Sequence, residues 1–117
     1  MKAKLIAFGE IEVEKERYAH DVVIEGGKVR KRKKGPSKQY REQTGHTPLS
    51  LKEEIPWGGR KLIVGTGSYG RLPVLPEVFH EAERRHIKLI AVPTDEACKL
   101  LEDINPKDVN AILHTTC

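Results

Sequence analysis

Aromatic residues are scarce in this chain. Two Phe, three Tyr and one Trp stand among 117 residues, too few for a surface that stacks successive bases. Cysteine is scarcer: Cys98 and Cys117 show no C-x-x-C spacing, which excludes a disulfide framework and leaves a zinc site short of ligands. Cys98 is expected as a buried thiol on a helix and Cys117 in a frayed end. Long apolar runs are missing too. Ile87–Val92 is broken by Lys88, far short of the roughly 20 residues of a membrane span. The stretch Leu5–Phe8 is too short for a signal peptide and runs into acidic residues, and no Arg/Ser-rich amphipathic presequence opens the chain. A cytoplasmic setting with no membrane contact is the expectation.

The composition is that of an ordinary globular protein, 38% hydrophobic and 32% charged. The length suits one domain with one core over residues 1–117. Charge is uneven. Residues 1–60 carry 14 Lys and Arg against 9 Asp and Glu, and residues 61–117 carry 7 against 8. The basic surplus is concentrated in Lys28–Lys34 (KVRKRKK), with Lys28, Arg30, Lys31, Arg32, Lys33 and Lys34 basic.

The N-terminal half reads as short antiparallel strands. Lys2–Phe8 is a first strand. In Glu10–Arg17, Ile11 and Val13 alternate with Glu10, Glu12 and Glu14, the period of a half-exposed strand, with a turn at Lys15-Glu16. Asp21–Glu25 holds adjacent Val22, Val23 and Ile24. Gly26-Gly27 signals a two-residue hairpin turn, and Lys28–Lys33 returns. Lys34–Thr47 has no apolar face; Ser37–Gln43 is expected to form one helical turn capped by Ser37. A short segment Leu51–Ile55 follows, with Trp57 as a plug over the core, and this connection is expected to be more mobile than the rest.

From Lys61 the pattern becomes strand, helix, strand, helix, strand: Lys61–Gly65, Leu75–His86, Ile87–Val92, Asp95–Ile104 and Val109–Thr115. Leu75, Val78, Phe79 and Ala82 make the stripe of the first helix, and Thr94 is the expected cap of the second. Alternation of this kind with short loops means parallel strands. The fold class is α/β: a mixed sheet with a central parallel βαβαβ unit over Lys61–Thr115, extended or capped by the N-terminal antiparallel strands and hairpin.

The blocks FGEIEV, Tyr18-Ala19-His20-Asp21-Val22, LIVGTGSYGRL, AVPTDEA and the terminal AILHTTC resemble, over nearly the full length, the MTH-type domain family of largely unknown function. That family includes an adipogenesis-associated MTH-domain protein and, more distantly, mitochondrial complex I assembly factor 3. The resemblance implies an α/β domain with an extra β-hairpin and no accepted catalytic activity.

The stretch on which function is expected to turn is Gly65-Thr66-Gly67-Ser68-Tyr69-Gly70-Arg71. Its glycines have G-x-G-x-x-G spacing between a strand and a helix, the context in which backbone N–H groups cradle an anion; the same glycines can equally serve only to shape a tight turn. Four residues, Arg71–Val74, separate the motif from the helix, and no ribose-binding acid stands about 20 residues on. A dinucleotide is therefore the weaker reading, and no cofactor is assigned. Ser68, Tyr69 and Arg71 suit a protein partner or a small anionic ligand. Tyr18, His20 and Asp21 form a candidate polar cluster in which the carboxylate could orient an imidazole. His114 and Cys117 stand as H-x-x-C, but His46, His80, His86 and Cys98 do not converge with them, so no metal is expected. Lys28–Lys34 has the charge density for phosphates but only Tyr40 nearby to stack. Three readings stand: non-enzymatic binding or assembly through Gly65–Arg71, an anion- or nucleotide-binding protein using the same loop, and nucleic-acid binding through Lys28–Lys34.

Overall fold

The computed structural model describes residues 1–117. Two sheets are present. The smaller is an antiparallel meander of β1 (Ala3–Ala7), β2 (Glu10–Val13) and β3 (Glu16–Tyr18). Its second turn lies at Glu14-Lys15, both with positive φ, one residue before the expected Lys15-Glu16. Ile11 and Val13 point inward and are fully buried, as their alternation requires. The larger sheet has the order β5-β4-β8-β6-β7. It contains β4 (Val22–Glu25), β5 (Lys28–Lys31), β6 (Lys61–Gly65), β7 (Lys88–Val92) and β8 (Val109–Leu113). β8 is central; β6 pairs in parallel with β7 and β8, while β4 pairs antiparallel with β8 and β5. The N-terminal strands therefore divide their roles: one hairpin extends the mixed sheet, and the meander caps it. Gly26 and Gly27 both adopt positive φ, as the two-residue turn demands.

Each face of the large sheet carries a core. On one, Ile63, Ala111 and Leu113 pack with Ile11, Val13 and with Ala97, Cys98 and Leu101 of α3 (Thr94–Glu102). On the other, Leu62, Val64 and Ile112 pack with Val78 and Ala82 of α2 (Pro76–Arg84) and with Leu49, Ile55 and Leu72. Strands covered on both faces read as continuous apolar runs, which is why LIV in β6 is uninterrupted. Asn110 is buried in β8. Its amide donates to the Pro56 carbonyl and its oxygen accepts from Gly26 N–H, tying the long connection and the hairpin turn to the last strand.

Several local expectations are corrected. α2 spans nine residues, and Phe79 lies outside the core at 39% exposure; Val78 and Ala82 form the buried stripe. Ser37 caps nothing. It lies inside a 3₁₀ turn, Gly35–Tyr40, that runs into α1 (Arg41–Thr44), and its hydroxyl bonds the Glu53 carboxylate. Thr94 is the first residue of α3, behind Pro93, and its hydroxyl donates to the His114 carbonyl and accepts from Gly67 N–H. Trp57 is half-buried against the second core, with the Arg85 guanidinium 5.1 Å from its ring centre. Urea unfolding is expected to show a loss of about 2–5 kcal/mol for Ile63→Ala, against no more than about 0.5 kcal/mol for Phe79→Ala.

Candidate functional site

The glycine-rich loop leaves β6 and turns its N–H groups inward. Thr66 N–H donates to the Val92 carbonyl, Ser68 N–H to Thr116, and both Tyr69 and Arg71 N–H to the main-chain oxygen of Cys117. The array that could have held a foreign anion holds oxygens of the chain's own 116–117 segment. Gly67, at φ +109°, is required by this approach: a Cβ there would stand 2.1 Å from the Thr116 carbonyl oxygen. Gly65, Thr66 and Gly67 are buried, Ser68 is half-buried, and Tyr69, Gly70 and Arg71 are exposed. Tyr69 is 71% exposed and adjoins Phe8, 62% exposed, with ring centres 6.3 Å apart. The Arg71 guanidinium lies 5.9 Å from the Tyr69 ring centre.

The segment held by the loop carries the second half of the site. Because β4 and β8 are antiparallel with Val22 opposite Leu113, Asp21 and His114 are neighbours at adjoining strand ends. His114 Nδ1 is 2.7 Å from Asp21 Oδ2, and Nε2 is 2.6 Å from Cys117 Sγ. Asp21 Oδ1 accepts from the Thr115 N–H and hydroxyl. Burial pushes the Asp21 carboxyl up. The bond from His114, the Thr115 N–H and the Arg32 charge outweigh it and hold the group well below the usual carboxylate range. Of the polar cluster expected at Tyr18, His20 and Asp21, the Tyr18 and His20 rings meet edge-on at 5.8 Å, while the Asp21 carboxylate turns elsewhere. Asp21 does orient an imidazole, but that of His114. His20 Nδ1 instead meets the Asp21 carbonyl oxygen, and Tyr18 O–H donates to Glu16. Cys117 is not frayed; Cys98 is buried, and burial pushes its thiol up to about 11.

Arg32 turns inward from the basic run and is buried, correcting its place among nucleic-acid contacts. It donates to Asp21 at 2.9 Å, to both oxygens of Glu53 at 2.8 Å, and to the Pro48 carbonyl. Burial lowers its tendency to stay charged, and Glu53 and Asp21 reverse that, leaving its pKa raised. Arg30 is half-buried and bonds the Glu54 carbonyl; Lys28, Lys31, Lys33 and Lys34 remain exposed. Ser37 and Ser50 complete the shell around Glu53, with their hydroxyls 2.7 Å apart. No buried side-chain nitrogen or oxygen lacks a partner.

Beside this network lies a cavity of about 260 Å³ lined by Lys34, Lys38, Arg41, Gly45, His46, Thr47 and His114, without one hydrophobic residue. No group of three or more His, Cys, Asp and Glu side chains is arranged to hold a metal ion. The basic wall comes from the 3₁₀ turn, α1 and the residues flanking them, whose charge is legible in the sequence. Their approach to His114 is not, since nothing local announces Arg32 as an inward anchor or Glu53 as its partner.

A crystal structure of the conserved hypothetical protein PH1505 from Pyrococcus horikoshii OT3 is 32% identical, with full coverage of both chains and a TM-score of 0.77. The chain belongs to the family of that protein. A second solved structure, MT938, shares the fold at a TM-score of 0.72 and 24% identity, over 99% of this chain and 98% of its own. No family model matches, and no curated protein does.

Two outcomes follow from the buried charges. Arg32→Ala strands two carboxylates and is expected to cost about 3–5 kcal/mol in chemical denaturation, with Arg32→Met no more stable. The Asp21 pKa lies below its unfolded value. Its stabilisation is therefore complete above about pH 4 and is lost as pH falls through the folded value. Asp21→Asn should melt below the wild type at pH 7, with the gap narrowing as pH drops below about 4 in thermal unfolding.

Proposed function

We propose that this chain is an MTH-type binding or assembly module whose working face is the Gly65–Arg71 surface, and that its partner is a protein. One observation carries this reading: Tyr69 and Phe8, the two most exposed large hydrophobic side chains, stand together on one face with Arg71 against the Tyr69 ring. Aromatic and arginine side chains supply much of the energy where they anchor protein interfaces. The loop's backbone is satisfied internally, so recognition falls to these side chains. The full-length likeness to PH1505 and MT938 supports the family reading and brings no activity with it. Two unpaired cysteines suit a reducing compartment, and we infer a cytoplasmic setting. No helix is long and apolar enough to cross a membrane.

The test is gentle fractionation of cells expressing the tagged chain, beside Phe8→Ser/Tyr69→Ser. The wild type is expected in a larger complex with a reproducible stoichiometric protein, and the double variant free at monomer size with unchanged melting. Wild type and variant eluting alike would overturn the reading.

A further inference from the structure

Cys117, His114 and Asp21 form a chain of nucleophile, base and orienting carboxylate, and its middle member, His114, lines a cavity walled by positive charge. We propose that Cys117 is a nucleophilic thiol, and that the cavity recruits small electrophiles carrying a carboxylate or phosphate.

Each part has a separate structural basis. A thiol attacks as thiolate, so a neighbouring base that accepts its proton sets its reactivity. His114 Nε2 meets Sγ, and its other nitrogen is engaged by Asp21, which fixes the ring's orientation. Asp21 cannot swing away. Thr115 and Arg32 hold its remaining positions, and Arg32 is itself clamped by Glu53. The main-chain oxygen of Cys117 is gripped by Tyr69 and Arg71 N–H, so the nucleophile sits on a fixed backbone. The same imidazole lines the cavity, whose wall carries Lys34, Lys38, Arg41 and His46. None of these four makes an ion pair with an acidic side chain. Arg32, the one basic neighbour that does, is buried behind them. An anion is what the unpaired cluster accepts. In the step itself the thiol proton passes to His114 Nε2. The Sγ lone pair then forms a C–S bond as the carbon–leaving-group bond breaks, and the leaving group departs with that electron pair. No oxidant or second reactant is needed.

Iodoacetate and its neutral twin iodoacetamide separate the two halves of the idea. Both alkylate thiols with loss of iodide, and mass mapping reads Cys117 and Cys98 individually. In the wild type, Cys117 is expected to react at least about tenfold faster than the same residue in His114→Asn at pH 7, below the range general-base assistance reaches. Its iodoacetate-to-iodoacetamide rate ratio should exceed that of free cysteine severalfold, and fall to the free value in Lys38→Ala/Arg41→Ala or at high salt. Cys98 serves as the folding gauge: it stays unreactive while the core is intact. If His114→Asn exposes Cys98, the surface double variant, whose changed residues are exposed, decides the matter through the ratio. Equal Cys117 rates in folded wild type and His114→Asn overturn the proposal, as does a wild-type ratio no higher than that of free cysteine. Neither result touches the Phe8–Tyr69 partner reading, which involves no thiol.

Discussion

The carboxylate of Asp21 ties together the ends of three paired strands and, through Arg32, the connection that follows β5. It sits at the start of β4, accepts from the buried Arg32 just beyond β5, and engages His114 and Thr115 beyond β8. Arg32 in turn fixes Glu53, and Glu53 gathers Ser37. Through these contacts the irregular connection between β5 and β6 is bound to the sheet by charge as well as by the apolar burial of Leu49 and Ile55. An ion pair so deep costs desolvation energy that the pairing roughly offsets. Removing one partner would leave a buried charge unmatched.

The regular part of the fold was legible in the sequence. Period two in Glu10–Val13, Gly26-Gly27, and the alternation of apolar runs with helical stripes after Lys61 each determine local structure, and the elements they imply are present. What the sequence concealed is non-local. Arg32 lies in a run of like charges, and only the tertiary position of Glu53 distinguishes it from Lys31 and Lys33. Phe79 shows the opposite failure: its spacing is helical, but α2 turns Val78 and Ala82 to the core and leaves Phe79 at the margin of that stripe. The Asp21 carboxylate was placed in an acid–imidazole pair on the strength of adjacent His20, and the true partner is 93 residues away.

The glycine loop has the spacing of an anion cradle, and its N–H groups are taken up within the chain. Ser68, Tyr69 and Arg71 therefore act at two levels, their N–H groups holding residues 116–117 and two of their side chains facing solvent. A partner seated on Tyr69 and Arg71 would press on the same loop that positions Cys117, so the outer face and the inner thiol share one short piece of backbone.

The pairing of β4 with β8 also has a bearing on how the chain assembles. The hairpin of β4 and β5 is local and can close as soon as it is made, but its inner edge finds its neighbour only in β8, far along the chain. Until β8 arrives, that edge offers unpaired N–H and C=O groups, the kind of template on which strands of separate molecules add to one another. Contacts so distant in sequence slow folding. The exposed lysines along β5 and just beyond it set like charges on the same hairpin, and like charges discourage edge-to-edge pairing between molecules.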